Sequence, residues 1–294
     1  MRRFLMTLAS CTSKLESFGI DIDELEHLIS HAFKEDMPEG DDKTTIATID
    51  ATANSKAVMR ARKDGVLAGV CVAALVFEKV GIKAIDFSKE CGDLVKAGES
   101  ILSIEGNTRE ILRSERIALN FISHLSGIAT LTKSWVKAIE GTGALIRDTR
   151  KTTPGLRNLE KFAVRMGGGH NHRMNLSDGA IIKDNHIAAS GSITSAVARV
   201  RKEFPGMPIE VEVDNLEQLR EALSCNAEVI LLDNMSIEMT KQAVEIAKGS
   251  TSKLESSGGL SLDIARSYAQ TGVHYLAVGA LTHSAPILDI GLDF

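Results

Sequence analysis

The chain has 294 residues, 44% of them hydrophobic, with a formal net charge of −5 and a mean hydropathy near zero, which is typical of a soluble globular protein of two domains. No apolar run approaches the ~20 residues that a membrane helix needs, so we expect no membrane partner. Aromatic residues make up only 4% and do not alternate with basic ones, so nucleic acid is not an expected partner either. The four cysteines form no C-x-x-C pair, which favours a reducing compartment, the cytoplasm, over a zinc site.

The first 20 residues have the pattern of a leader. Arg2-Arg3 followed by the segment from Phe4 to Cys11 imitates a short secretion signal, but the apolar stretch has only the minimum length and Thr7 interrupts it. We therefore expect residues 1–20 to be a disordered leader that is not an export signal. Asp21 or Asp23 is expected to cap the first amphipathic helix.

The next part of the chain alternates like an antiparallel sheet. Lys56 to Arg62 predicts a strand that ends at an Asp64-Gly65 turn, and a helix around Val72 to Val80 follows. Two further strands are predicted at Ile82 to Phe87 and at Ile101 to Ile104.

After a long helix, predicted from Ser114 to Ala138, the pattern changes to repeated strand, loop and helix. Helices at Leu216 to Leu223 and Ile237 to Ala247 separate several short apolar runs. Repeats of this kind predict a parallel α/β barrel, whose active site lies at the carboxyl ends of the strands. The apolar runs that predict its buried strands are Leu145 to Asp148, Ala180 to Asn185, Ile209 to Asp214, Val229 to Asn234, Leu254 to Gly259 and Tyr275 to Gly279.

One segment of this acidic chain is basic. Between Arg147 and Lys183 there are eight Lys and Arg against three acids, a local charge of +5. The basic residues are interleaved with Thr-Thr-Pro-Gly and Gly-Gly-Gly, turn elements that present backbone N–H groups to anions. The segment therefore predicts a site for a small ligand with several negative charges, although a solvated basic surface would show the same charge.

The predicted strand ends bring together two kinds of polar group. Arginine suits bidentate binding of carboxylates or phosphates, glycine turns let backbone N–H groups approach a phosphate, and two carboxylates can hold Mg²⁺ with ligand phosphates. Each group also has an ordinary alternative: a helix-capping Asp, a lysine in an ion pair, a histidine in the core. The cations are Arg150, Lys151, His172, Arg173 and Lys183; the acids are Glu212 and Asp233; the turns are Ser257-Gly258-Gly259 and Gly279-Ala280, with His283 in the loop that follows.

Several segments together resemble a known family, the quinolinate phosphoribosyltransferases. The resemblance runs in order from about Asp23 to Phe294, and a small departure is Ser256, where the family more often has Ala or Val. The segments are SERIALNFISHLSGIAT, DTRKTTPGLRNLEK, RMGGGHNHRMNLSD, IKDNHI, VEVDN, LLDNM, ESSGG and VGALTHS.

This resemblance implies an architecture and a reaction. The expected fold is an incomplete, about seven-stranded α/β barrel at 121–281, an N-terminal open-faced α+β sandwich domain at 21–120, and a C-terminal segment at 282–294 that packs back onto the sandwich. The implied reaction transfers the phosphoribosyl group of phosphoribosyl pyrophosphate (PRPP) to quinolinate. Decarboxylation then yields nicotinate mononucleotide, pyrophosphate and CO₂ in de novo NAD biosynthesis.

The resemblance also implies a role for each residue of the site. Lys151, Lys183, Glu212 and Asp233 are the implied catalytic residues, and Glu212 and Asp233 hold the Mg²⁺ that accompanies PRPP. The implied ligands of the quinolinate carboxylates are Arg116, Arg150, His172, Arg173 and Lys183. The implied PRPP side comprises Lys151, Ser257, Gly258, Gly259, Val278, Gly279 and Ala280, and Thr149 and His283 complete the substrate-binding set.

Arg116 carries the prediction for assembly. With Ser114 as helix cap, Arg116 lies in the first turns of the helix that links the two domains, away from the strand ends. The resemblance implies a homodimer in which Arg116 is donated to the partner's site, and dimer and hexamer stay open as final assemblies. Two other readings also stay open: a related barrel enzyme for another pyridine or phosphoribosyl substrate, and a catalytically silent sensor of a phosphorylated metabolite.

Overall fold

The computed structural model describes residues 7–40 and 42–294. They fall into two units. The sheet unit comprises the described part of Met1–Leu131 together with Thr153–Gly168 and Ser284–Phe294, and the barrel unit comprises Thr132–Thr152 and Gly169–His283. None of the described helices is long and apolar enough to cross a membrane.

The described residues form the following helices and strands, numbered in chain order. The helices are α1 (Leu8–Ser17), α2 (Ile22–Asp36), α3 (Lys43–Thr48), α4 (Val70–Lys79), α5 (Thr108–Ala138), α6 (Arg157–Met166), α7 (Asp184–Ser190), α8 (Ile193–Glu203), α9 (Leu216–Ser224), α10 (Ile237–Ile246), α11 (Ala265–Ala269) and α12 (Ala280–His283). The strands are β1 (Asn54–Ala61), β2 (Gly65–Val66), β3 (Ala84–Phe87), β4 (Leu94–Val95), β5 (Ser100–Asn107), β6 (Leu145–Arg147), β7 (Ala180–Ile182), β8 (Ile209–Val213), β9 (Val229–Asp233), β10 (Lys253–Ser257), β11 (Tyr275–Ala277) and β12 (Ile290–Asp293).

The sheet unit contains a four-stranded antiparallel sheet in the order β12-β1-β5-β3. The alternation of β1 buries Ala57, Met59 and Ala61 on one face, as expected for a strand with one face on a core. The last strand of the chain, β12, pairs with β1 in register from Val58 with Asp293 to Ala61 with Ile290.

The segment for which we expected disorder contains helix α1. Thr7 caps it, and its fourth and eighth residues, Cys11 and Leu15, are buried. An i, i+4 apolar pair lies on one helical face, so two buried side chains are enough to dock this short helix. The expectation was therefore wrong for Leu8–Ser17, and residues 1–6 lie outside the described residues. Asp21 caps α2, as predicted.

Helix α5 begins earlier than predicted. It starts at Thr108, and Ser114 is not its cap but a buried interior residue whose hydroxyl donates to the Glu110 carbonyl at 2.6 Å. The hydroxyl of a serine inside a helix can bond to a backbone carbonyl of the preceding turn, so a serine in the sequence does not by itself indicate where a helix begins. Arg116 is consequently about two turns into the helix instead of at its beginning.

The barrel unit contains six parallel strands in the order β6-β11-β10-β9-β8-β7. His170 adds an isolated parallel bridge to Arg147, outside β6, at the position of a seventh strand. This is the incomplete α/β barrel that we expected. Asn215 and Ser236 cap α9 and α10, which follow β8 and β9, so the carboxyl ends of these two strands lead into short capped loops on one face. After β7 the chain passes directly into α7, and Ser192 caps the next helix, α8.

Candidate active site

A cavity of about 780 Å³ opens at the carboxyl ends of the barrel strands. Its lining residues, within the described part of the chain, all belong to the barrel unit, and every predicted substrate-binding residue except Arg116 is among them. The predicted residues that it brings together are Thr149, Arg150, Lys151, His172, Arg173, Lys183, Glu212, Asp233, Ser257, Gly258, Gly259, Val278, Gly279, Ala280 and His283. Arg116 is an exposed residue of α5 in the sheet unit and does not line the cavity.

Two arginines give the cavity an excess of unused donors. Arg173 donates through Nη1 to the Gly179 carbonyl at 2.6 Å, but the Nε groups of both Arg150 and Arg173 are buried and have no hydrogen-bond partner among the described residues. Burial, and then the positive charge of Arg150, lower the pKa of Arg173. Desolvated, like-charged donors without acceptors are unfavourable unless an anion joins them. This part of the cavity is therefore suited to bind a carboxylate or a phosphate.

An ion pair stands at the mouth of the cavity. Lys183, the residue before α7, pairs with Glu212 of β8, and the side chains are 46% and 16% exposed. On the neighbouring strand β9, Asp233 accepts a hydrogen bond from the Asn234 amide at 2.8 Å. The structure therefore places Lys183 against an acid, whereas the resemblance assigned it to a substrate carboxylate.

Glycine turns form a further part of the cavity wall. Gly258 has φ +83, and a Cβ on it would lie 2.6 Å from Asn234 Cγ. A Cβ on Gly279 would lie 3.1 Å from Lys151 Cδ and 3.2 Å from His283 Nε2, so the backbone, a lysine and a histidine meet here. Close backbone approach beside a cation is typical of phosphate sites.

His172 is held from both sides of its ring. The ring Nε2 lies 2.8 Å from a Glu210 oxygen, and the ring Nδ1 accepts the Arg173 backbone N–H at 2.8 Å. The backbone N–H of His172 donates to the Asp148 carboxylate at 2.8 Å. The resemblance assigned His172 to a substrate carboxylate. In the structure both ring nitrogens are already engaged, so His172 contributes to the cavity as a fixed wall.

Below His172 lies a buried polar group that we call the floor cluster: Arg147, His172, Glu210 and Glu255. Glu255 pairs with Arg147 at 2.6 Å and lies 3.5 Å from His172 Nε2, and the Arg147 guanidinium stacks 4.5 Å over the Tyr275 ring. Burial, with the nearby charge of Glu210, raises the pKa of Glu255 to about 7. Glu255 also lines the cavity, so the floor cluster is in contact with the ligand space.

Two family models cover most of the chain. The quinolinate phosphoribosyl transferase N-terminal domain matches residues 42–126, and the quinolinate phosphoribosyl transferase C-terminal domain matches residues 128–293. The chain belongs to the quinolinate phosphoribosyltransferase family.

Individual relatives agree with this membership. The chain is 50% identical to the nicotinate-nucleotide pyrophosphorylase [carboxylating] of Mycobacterium leprae, over 93% of this chain and 98% of that one. It is 42% identical to the probable enzyme of the same name from Bacillus subtilis, over 92% and 93% of the two chains. Among solved structures, NadC from Streptococcus pyogenes is 38% identical with a TM-score of 0.89, covering 94% of this chain and 97% of that chain.

The sequence reasoning missed the floor cluster. Glu255 was present only as the first letter of the family segment ESSGG, and Glu210 as part of a buried strand. A signal existed: each acid lies in an apolar strand at the same parity as a predicted site residue, Glu210 with Glu212 and Glu255 with Ser257. Because side chains two residues apart share a strand face, both acids had to point into the barrel.

Proposed function

We propose that this chain transfers the phosphoribosyl group of PRPP to the ring nitrogen of quinolinate and releases CO₂, with nicotinate mononucleotide and pyrophosphate as the other products. One observation carries the proposal: the cavity is lined by two half-buried arginines, Arg150 and Arg173, whose buried Nε donors have no partner among the described residues. Quinolinate has adjacent carboxylates at C2 and C3, which would use these donors. Family membership and the names of the relatives support the same reaction.

The chemistry needs orientation more than a nucleophilic side chain. The ring nitrogen forms a bond to C1 of the ribose as the C1–oxygen bond breaks, and that electron pair leaves with pyrophosphate. Positive charge develops on the ribose, and the carboxylates of Glu212 and Asp233 at the cavity wall are suited to stabilise it. The C2–carboxylate bond then breaks. Its electron pair stays at C2 next to the positive ring nitrogen until C2 takes up a proton.

The phosphates of PRPP would bind on the glycine side. Lys151 lies against Gly279 and His283, and its carbonyl accepts a hydrogen bond from the Thr282 hydroxyl at 2.8 Å, which holds the loop in place. The turn at Gly258 brings backbone close to the same space. We propose that Lys151 neutralises the pyrophosphate as it leaves.

We also propose that PRPP binds with Mg²⁺. Glu212 and Asp233 are carboxylates on neighbouring strands that both line the cavity, and two carboxylates plus phosphate oxygens are a donor set that Mg²⁺ prefers. When bound, the ion supplies positive charge to the diphosphate. Lys183 pairs with Glu212 in the structure, so Glu212 could bind Mg²⁺ with PRPP only after this ion pair has broken.

The charge-neutral variants Glu212→Gln and Asp233→Asn test this metal role. They should weaken the binding of Mg²⁺ with PRPP in calorimetric titration and leave quinolinate binding largely intact. Loss of quinolinate binding with unchanged PRPP affinity would reverse the two subsites.

We propose that the protein is a homodimer in which each active site contains residues of both subunits. We also propose that it acts in the cytoplasm. Arg116 is exposed on α5 and belongs to the sheet unit, so its implied role as a carboxylate ligand is accounted for if it serves a partner's cavity. An Arg116→Ala chain mixed with a Lys183→Ala chain should form some dimers in which one site is complete, restoring roughly a quarter of wild-type activity by random pairing. If the subunits exchange and activity stays at the level of the single variants, the shared-site proposal is wrong.

The function itself is tested by a product assay. Quinolinate labelled in its C2 carboxylate, PRPP and Mg²⁺ should give labelled CO₂ and nicotinate mononucleotide in equal amounts. Arg201→Gln is a matched control, because this arginine of the barrel unit bonds to the Cys225 and Asn226 carbonyls and does not line the cavity. A folded protein that forms neither product would contradict the proposal.

A further inference from the structure

The floor cluster replaces an apolar layer of the barrel. Arg147 lies on β6, Glu255 on β10 and Glu210 on β8, which are every second strand in the sheet order. Alternate strands of a parallel barrel contribute the side chains of one interior layer, and branched aliphatic residues usually fill it. Here the layer holds two acids and a guanidinium, closed on one side by His172.

This layer has one negative charge more than it can satisfy. The hydrogen-bond partners of His172 assign it as the neutral tautomer, since Nδ1 accepts an N–H and Nε2 faces the carboxylates. Arg147 is then the one full positive charge in the cluster against Glu210 and Glu255. Each acid also keeps one oxygen, Oε1, that is buried without a hydrogen-bond partner among the described residues. A single proton would neutralise the excess charge and supply the missing donor.

Glu255 is the group in this layer best placed to take that proton. Its side chain is fully buried, and its pKa is raised by burial and by the charge of Glu210, while the charge of Arg147 acts in the opposite direction. Its register partners on the two neighbouring strands are not acids: they are Leu231 of β9 and Tyr275 of β11, and Lys253 of its own strand is exposed.

Binding of a dianion in the cavity would change the balance of charge in the floor cluster. The positive charge of Arg173 opposes the negative charge of Glu210, and Arg150 lies close enough to Arg173 to affect its pKa. When substrate carboxylates engage these guanidiniums, the floor loses part of that positive field and gains an anion in the adjoining space. Both effects favour the neutral form of a buried acid.

We propose that Glu255 takes up one proton when a pyridine dicarboxylate binds above the floor cluster, and that the resulting neutral acid keeps His172 in position. Glu255 is thus a positioning residue, and substrate binding is coupled to proton uptake. The proton comes from solvent and no covalent bond of the substrate changes. This inference rests on the function proposed above, because it takes quinolinate as the ligand.

The test is calorimetric titration of the wild-type protein with quinolinate at pH 8, in buffers of different ionisation enthalpy. Binding should take up between about half a proton and one proton per site, and the uptake should fall towards zero at pH 5, where Glu255 is already neutral. As the pH rises from 5 to 8, the affinity for quinolinate should fall by up to about tenfold per pH unit, because binding takes up a proton. Absence of binding would count against the proposed function, whereas binding without proton uptake at pH 8 would overturn the role of Glu255 alone.

Two variants assign the proton to its residue. Glu255→Gln mimics the neutral acid, so it should bind quinolinate without proton uptake and with affinity independent of pH from 6 to 8. Glu221→Gln is the matched control, because this half-buried acid of the barrel unit accepts the Thr194 backbone N–H at the start of α8 and does not line the cavity, and the variant should behave as the wild type. Uptake that persists in Glu255→Gln would show that another group binds the proton.

A third measurement covers the case in which Glu255→Gln does not fold. The infrared difference spectrum of the wild-type protein at pH 8, with and without quinolinate, should gain the carbonyl stretch of a protonated carboxyl group. A difference spectrum without that band would overturn the proposal.

Discussion

Two ion pairs of the barrel unit have the same chemistry and opposite surroundings. Lys183 and Glu212 meet at the mouth, with side chains 46% and 16% exposed, whereas Arg147 and Glu255 meet in the floor cluster, 17% and 0% exposed. An exposed pair contributes little to stability and exchanges readily for another partner. A buried pair cannot lose one member without leaving an uncompensated charge. The mouth is therefore suited to exchange its partners for substrates, and the floor is suited to hold the residues beneath them.

The largest expected effect is on catalysis and comes from Arg150 and Arg173, whose buried Nε donors have no partner among the described residues. Arg150→Gln and Arg173→Gln should each lower kcat/KM for quinolinate by about a hundredfold to ten-thousandfold, since a bidentate contact loses two charge-assisted bonds of about 1.5–3 kcal/mol each. The melting temperature should change little for Arg150→Gln, because the Arg150 Nε has no hydrogen-bond partner among the described residues. It should fall slightly more for Arg173→Gln, which also loses the bond from Arg173 Nη1 to the Gly179 carbonyl. Steady-state kinetics and thermal melts measure the two effects. A loss of stability in proportion to the loss of activity would mean that the arginines are structural.

The second effect is on stability and compares the two pairs directly. Arg147→Met removes the cation from buried Glu255 and should cost about 3–5 kcal/mol of unfolding free energy at pH 8. Lys183→Met removes the cation from the exposed pair and should cost less than about 1 kcal/mol. Denaturant unfolding of both variants at the same pH gives the comparison. Equal costs would remove the distinction between mouth and floor.

The unfolding free energy that Arg147→Met loses should also depend on pH. Because the folded-state pKa of Glu255 lies above that of a free glutamate, its stability contribution is present at low pH and is lost as pH rises towards about 7. The cost of removing Arg147 should therefore be smaller at pH 5, where Glu255 is protonated, than at pH 8. A cost that does not vary with pH would contradict the neutralisation of Glu255.

The smallest effect concerns the glycine side of the mouth. Gly258→Ala should raise the KM for PRPP by up to about tenfold and leave the quinolinate KM unchanged, because the added Cβ would press on Asn234. Gly249→Ala is the matched control: it has the same φ of +83 but open space around the added Cβ, so it reports the backbone strain alone. Equal changes in PRPP KM for both variants would show that the contact at Gly258 is unimportant.

The barrel could be predicted from the sequence, and the floor cluster could not. The capped helices and apolar strands repeat along the chain, so local patterns were enough to predict the parallel sheet and the residues at its strand ends. The floor cluster depends on which strands alternate in space, since Arg147 and Glu255 are far apart in sequence and meet only through the sheet order. The prediction of where α5 begins was wrong for a different reason. A serine can cap a helix, or it can lie inside one and bond to a carbonyl of the preceding turn, as Ser114 does.

Helix α1 shows the same limit at the N-terminus. Residues 1–20 had the composition of a leader, but two apolar side chains at helical spacing, Cys11 and Leu15, dock this segment. Whether such a short helix forms depends on the surface that it meets, which its own sequence does not contain.

The most direct measurement compares quinolinate with nicotinate as acceptors at saturating PRPP and Mg²⁺. The two acids differ by the C2 carboxylate, and without it the buried Nε of Arg150 or Arg173 keeps no partner among the described residues. The account predicts that kcat/KM for nicotinate is lower by about tenfold to a hundredfold for each charge-assisted bond lost. Comparable kcat/KM values for the two acids would contradict recognition of a pyridine dicarboxylate by this cavity.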